Sequence, residues 1–186
     1  MKMRILLVAA LLLSVSAGTA SAATTQKWTP GWDNFGAQLN YTKSNVMWSV
    51  NAHSRKLTLS FNLVGATPSQ LYQVALNFFC STFPKTFGQF PVEENGDGTC
   101  ISLTRQNFTA TVAEVEVGVV ATDLHGNGKF SVVVGPVPSG TYQVEFFARN
   151  GAGCDFINGG PCDTNHAEAD FQSPGPFGTA ITIVVP

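Results

Sequence analysis

Seven stretches of this chain alternate apolar and polar residues, and that rhythm fixes what the chain can become. In KLTLSFNLV (56–64), Leu57, Leu59, Phe61 and Leu63 fall on one side; Lys56, Thr58, Ser60 and Asn62 fall on the other. LYQVALNFF sets Tyr72, Val74, Leu76 and Phe78 against Gln73, Ala75 and Asn77. AEVEVGVV does the same with Val115, Val117 and Val119, KFSVVV with Phe130, Val132 and Val134, and TAITIVVP with Ile181, Ile183 and Val185. TYQVEFFAR opposes Tyr142, Val144, Phe146 and Ala148 to Gln143, Glu145, Phe147 and Arg149, and NVMWSVNA reads as an earlier strand. Successive side chains of a strand point to opposite faces, so a period of two gives each strand one dry and one wet face. Antiparallel sheets packed face to face satisfy that pattern; a parallel sheet buried on both sides does not.

The punctuation agrees. GATPS (65–69), NGDG (95–98), GNG (126–128) and PVPSG (136–140) are turn chemistry, rich in residues that tolerate positive φ. The expected fold is all-β: an antiparallel β-sandwich of about seven to nine strands. The expected core is Leu57, Leu59, Phe61, Leu63, Val74, Leu76, Val117, Phe130, Val132, Tyr142, Val144 and Phe146. Residues 23–44 read as a less regular, aromatic-bearing lead-in.

The N-terminus, MKMRILLVAALLLSVSAGTASA, has the form of an export signal. Lys2 and Arg4 precede an apolar run too short to span a bilayer, and Ala20-Ser21-Ala22 offers a cleavage site. Residues 1–22 are therefore expected to be a signal peptide and residues 23–186 a single secreted or extracellular domain, periplasmic or surface-held in a bacterium. Cys80, Cys100, Cys154 and Cys162 remain after cleavage, and an even count in an oxidising compartment reads as two disulfides. Each of Cys80–Cys100 and Cys154–Cys162 brackets a loop-like stretch, which favours those pairings. Lys and Arg number ten against twelve Asp and Glu; loss of Lys2 and Arg4 leaves eight against twelve. That balance argues against a nucleic-acid partner, and no second long apolar run follows to span a membrane.

TDLHGNGKFSVVVGPVPSGTYQVEFFA (122–148) resembles a strand-turn-strand pattern of exported immunoglobulin-like and transthyretin-like sandwich modules, carboxypeptidase-regulatory-like and Cna-B-type domains among them. Thr122, Asp123, Gly126, Gly128, Phe130, Pro138, Gly140, Thr141 and Tyr142 carry the likeness. The resemblance implies an Ig-like sandwich with Greek-key connections and, for most such modules, a non-catalytic part of a surface protein. The Lys–Asn isopeptide bond of Cna-B-type domains does not carry over, because the last strand, TAITIVVP, has no Asn.

Chemistry concentrates in GAGCDFINGGPCDTNHAEAD (151–170). One helical turn would set Asp163, His166 and Asp170 on a single face, with Asp155 and Asn158 within reach. Calcium would take the carboxylate and amide oxygens and zinc would accept His166; a stapled, solvated loop is the plainer reading. Asp123 to Gly128 opens like an EF-hand loop but lacks the later ligands. Glu114 and Glu116 share a strand face, the spacing of paired acids or of a solvated face, and His53-Ser54 sits between strands without a nucleophile motif. Trp28, Trp32, Tyr41 and Trp48 could make a flat platform for a sugar, and so could the cluster Phe78, Phe79, Phe83, Phe87 and Phe90; packing inside the sandwich is the rival. Asn40-Tyr-Thr42 and Asn107-Phe-Thr109 are glycosylation sequons. The composite expectation is a non-catalytic, secreted or cell-surface structural or binding module that meets a protein or a glycan. The alternatives are a carbohydrate-binding module using the N-terminal aromatics and a metal-assisted extracellular enzyme using the 151–170 loop. Peptide mapping without reduction should recover Cys80 joined to Cys100 and Cys154 joined to Cys162; a Cys80–Cys154 or Cys80–Cys162 peptide would overturn both pairings.

Overall fold

The computed structural model describes residues 22–31, 38–78, 84–95, 112–150, 171–173 and 180–186. The described residues are all-β, and no helix among them is long and apolar enough to cross a membrane. Each of the seven alternating stretches forms a strand: β3 (Asn45–Asn51), β4 (Lys56–Leu63), β5 (Leu71–Phe78), β9 (Val112–Ala121), β10 (Gly128–Val134), β11 (Gly140–Arg149) and β13 (Ile181–Val185). Six shorter pieces bring the count among the described residues to thirteen, more than the seven to nine expected: β1 (Thr24–Lys27), β2 (Thr29–Pro30), β6 (Thr86–Phe87), β7 (Phe90–Pro91), β8 (Glu93–Asn95) and β12 (Phe171–Ser173). These are too short to show a periodicity.

A four-stranded sheet runs β1-β3-β4-β10. A seven-stranded sheet runs β2-β12-β11-β5-β9-β8, with β13 also paired to β11; β12 and β13 follow one another along the edge of β11 that faces away from β5. All pairings in both sheets are antiparallel. Inward side chains of the two sheets interdigitate to form a β-sandwich. Phe61 of β4 meets Phe146 of β11 edge-on, with ring centroids 5.9 Å apart, and Trp48 lies 5.5 Å from Phe146. Toward one end Tyr72 packs on Phe171; toward the other, Phe78, Phe87 and Tyr142 form a three-ring cluster.

Ten of the twelve expected core residues are buried; Phe130 and Val132 are half-buried and pack against the core, because β10 is the edge of its sheet. Gln89, in the turn of the β6–β7 hairpin, covers part of that edge. Its amide donates to the Val133 carbonyl (3.2 Å) and accepts from the Gly135 N–H (3.1 Å), as a neighbouring strand would.

Three expectations are corrected. Val119 does not continue the inward face of β9. A β-bulge leaves Val117 as an extra residue between the partners of Val74 and Ala75, which turns Val120 inward instead. Gly118 sits there with φ of 154°, and a Cβ on it would collide with the Phe130 ring. The lead-in is not irregular throughout: β1 joins the smaller sheet, β2 joins the larger, and Trp28 drops into the core where the chain crosses between them. The rule of one wet face per strand fails at β5 and β11, where Gln73, Ala75, Glu145, Phe147 and Arg149 are buried on the outer side as well.

The motif that carries the family resemblance forms a locked turn. One carboxylate oxygen of Asp123 accepts the N–H groups of His125 and Asn127, both at 2.8 Å, and Thr122 Oγ1 donates to the Thr67 carbonyl at 2.7 Å. Gly126 has φ of 73° and packs so tightly on the Ala66 backbone that no side chain fits. The Tyr142 hydroxyl donates to the Pro138 carbonyl four residues upstream at 2.6 Å. Phe61→Ala should cost about 3–5 kcal/mol, read by denaturant unfolding. A loss within error would mean that Phe61 does not bridge the sheets.

Candidate functional site

The one concentration of buried charge among the described residues lies on the outer side of the larger sheet, where β11 and β5 run through its middle. Strand register places its members. Arg149 lies opposite Gln73, Phe147 opposite Ala75, and Glu145 opposite Asn77. On the far side of β5, Glu116 lies opposite Ala75 and Glu114 opposite Asn77. On the other flank of β11, Gln172 faces Phe147.

Arg149 organises the group. Its Nε donates to Gln73 Oε1, and its Nη2 donates to Glu114 Oε1 (2.6 Å) and Glu116 Oε1 (3.2 Å). The guanidinium carbon lies 5.1 Å from the Phe147 ring centroid, so the ring covers one face of the cation. The planar fork makes this possible: one side chain meets an amide and two carboxylates at once. Arg149 and Glu114 are both largely shielded from water, whereas Glu116 is half open. Charges so shielded are stable as a matched set, and removing one partner strands the rest.

Glu145 is different. It is 3% exposed and hydrogen-bonds with Asn77, and its Oε2 has no partner among the described residues. Burial disfavours the ionised form, and the Asn77 hydrogen bond offsets only part of that, so its pKa is pushed up to about 8. Gln73 Nε2 and Gln172 Oε1 are also buried without partners among the described residues. The face therefore combines a spent ion cluster with a carboxylic acid that is neutral over most of the physiological range.

The acids proposed for chemistry occupy structural posts. Glu114 and Glu116 are not a free catalytic pair, because both bind Arg149. Asp123 is not free as an opening cation ligand: the Asn127 and His125 N–H groups hold its carboxyl below the usual range. His53 and Ser54 form a turn in which both N–H groups donate to Asn51 Oδ1, at 3.1 and 2.9 Å.

The aromatic platform is not assembled from the tryptophans that can be placed. Trp28 is 1% exposed, and its Nε1–H donates to the Asn62 carbonyl at 3.2 Å. Trp48 is 7% exposed. Tyr41 is half-buried, edge-on to Phe171. Of the phenylalanine group, Phe78 and Phe87 are in the core and Phe90 packs against it. These rings are the largest apolar surfaces in their strands, so the core takes them first. Trp32, Phe79, Phe83, the cysteines Cys80, Cys100, Cys154 and Cys162, and the metal candidates Asp155, Asn158, Asp163, His166 and Asp170 lie outside the described residues, as does the sequon at Asn107. Among the described residues no group of three or more His, Cys, Asp or Glu could hold a metal ion.

Sequence reading placed Glu145 and Arg149 on a wet face and so missed this cluster. The signal was there in Phe147, an apolar residue in the middle of that face. Comparison of the chain with known protein families and with characterised proteins returns no match.

A carboxyl with a raised folded pKa binds its proton more tightly when folded. Its contribution to stability is complete below its ordinary value of 4.5 and is lost as pH climbs through about 8. Unfolding free energy of the parent should therefore fall by an amount on the order of a few kcal/mol between pH 5 and pH 9 relative to Glu145→Gln. Parallel pH profiles for the two proteins would refute the buried neutral acid.

Proposed function

We propose that this chain is an exported, non-catalytic sandwich module of the immunoglobulin-like, Greek-key kind, secreted or held at the cell surface, where it binds a protein or a glycan. The order of the strands supports the family reading. The β3–β4 pair belongs to one sheet, β5 and β9 to the other, β10 returns beside β4, and β11 returns beside β5. The Tyr142–Pro138 hydrogen bond and the Asp123 turn are features such modules use to fix a loop end. Two disulfides, Cys80–Cys100 and Cys154–Cys162, complete the proposal as staples suited to an oxidising compartment.

One observation carries the non-catalytic reading. Among the described residues Glu114 and Glu116 are engaged by Arg149 and Asp123 by its own turn, while Glu145 is 3% exposed and so shut away from a substrate in solution. A group that secures the fold is poorly placed to exchange protons with a substrate.

The test is association with the envelope of the producing cells. Purified protein from residue 23 onward should bind isolated envelope fractions saturably and be recovered unchanged, with no release of soluble fragments from them. Glu114→Gln should lower the melting temperature by several degrees, since it removes the more shielded of the two carboxylates that match Arg149, and leave envelope binding unaltered below that temperature. Fragment release that disappears in Glu114→Gln would identify an enzyme instead.

A further inference from the structure

Charge is sorted between the two sheets. Lys27, Lys56 and Lys129 stand exposed on β1, β4 and β10 of the smaller sheet, with Lys43 and Arg55 exposed in turns beside it. No Asp or Glu stands on β1, β3, β4 or β10, and residues 34–92 contain none. Glu114, Glu116 and Glu145 all belong to the larger sheet. Asp123, in the turn leading into β10, has a carboxylate oxygen already occupied by two backbone N–H groups. A chain of net charge −2 thus carries one basic face.

Register gives that face a pattern. Lys27, Asn45, Asn62 and Lys129 are successive partners across the four strands. At a strand spacing near 4.8 Å, the two lysines lie roughly 14 Å apart with two amides between them. The row beside it is Thr25, Met47, Ser60 and Ser131, in which the Ser131 hydroxyl donates to Ser60 at 2.9 Å. The inward rows are taken by the core, so everything this face presents is hydroxyl, amide, ammonium, Met47 or Val133.

We propose that the outer face of the smaller sheet binds an acidic polysaccharide, a chain bearing uronate carboxylates. Lys129 and Lys27, whose ammonium also donates to the Thr42 carbonyl at 2.7 Å, meet the carboxylates. The exposed hydroxyls of Thr25, Thr58 and Ser131 hydrogen-bond the sugar hydroxyls; the Asn62 amide already donates to the Lys43 carbonyl at 3.0 Å. Charge complementarity selects an anionic partner. The flat rows of short polar side chains fit an extended polymer. A nucleic acid fits less well, because single strands are held by stacking on aromatic side chains and this face has none among the described residues. The assignment rests on the binding-module reading and narrows it to one ligand class and one face.

The test uses the chain from residue 23 onward, with polygalacturonate as ligand and neutral dextran, a DNA duplex and anionic lipid vesicles as comparators, measured by titration calorimetry. Polygalacturonate should bind, weaken as salt rises, and bind about tenfold more weakly to the Lys27→Gln/Lys129→Gln double variant. Lys85→Gln, an exposed change off this face, should bind like the parent. Equal binding by the double variant overturns the proposal, as does equal affinity for dextran, tighter binding of duplex or vesicles, or no binding of polygalacturonate. The double variant must keep the parent's melting temperature. If it fails to melt as the parent does, Lys27→Arg/Lys129→Arg, which keeps the charge, must retain binding; loss of binding there also refutes the assignment. Saturable envelope binding that survives in the double variant leaves the module reading intact and removes only this face. Absence of envelope binding by the parent removes the module reading itself.

Discussion

The contact between Phe61 and Phe146 is the one on which the sandwich turns. Each ring stands near the middle of a central strand, and they meet edge-on across the interface. Trp28, Trp48 and Phe130 pack around them, so rings from four strands and from the β1–β2 junction share one apolar volume. The pleat makes this possible: a residue two places along either strand points the same way, so aligning these rings aligns the whole inward face of both sheets. A slip of one residue would expose Leu57, Leu59 and Leu63 together with Phe61.

Fixing the inner faces leaves the outer faces to differ, and they differ sharply. On the smaller sheet the outward residues are short, polar and mostly open. On the larger sheet β5 and β11 are buried on both sides, and the outward side includes Arg149 and Glu145. Burial there cannot be driven by apolar area alone, since Ala75 and Phe147 are its only apolar members among the described residues. It is tolerated because Arg149 meets two carboxylates and an amide, and because Glu145 holds a proton. The two devices are complementary: the cation is matched by the acids within its reach, and the acid beyond it stays neutral.

The loop end follows the same economy. Asp123, Thr122 and Gly126 tie the β9–β10 turn to the stretch from Gly65 to Gln70 by hydrogen bonds and close backbone packing. Side chains that could have been chemical groups are spent on backbone geometry. The outer face of the smaller sheet, by contrast, carries exposed hydroxyls and the ammonium groups of Lys27, Lys56 and Lys129.

Much of the fold was legible in the sequence because strand alternation is a local property: the pleat dictates which residues share a face whatever packs against it. All seven long strands and most of the core followed from that alone. The sequence could not say which face of a strand another segment would cover, so Gln73, Glu145 and Arg149 read as wet until packing buried them. Nor could it locate the bulge at Val117, which depends on how β9 lies against β5, or the crossing at Trp28, which depends on two sheets being close enough to share one strand. The basic face had a visible trace in the acid-free run from 34 to 92. Only register, which sets residues distant in sequence side by side, put Lys27 and Lys129 on one row. Local sterics wrote the strands; long-range pairing decided which of their side chains meet water, which meet each other, and therefore what the surface offers.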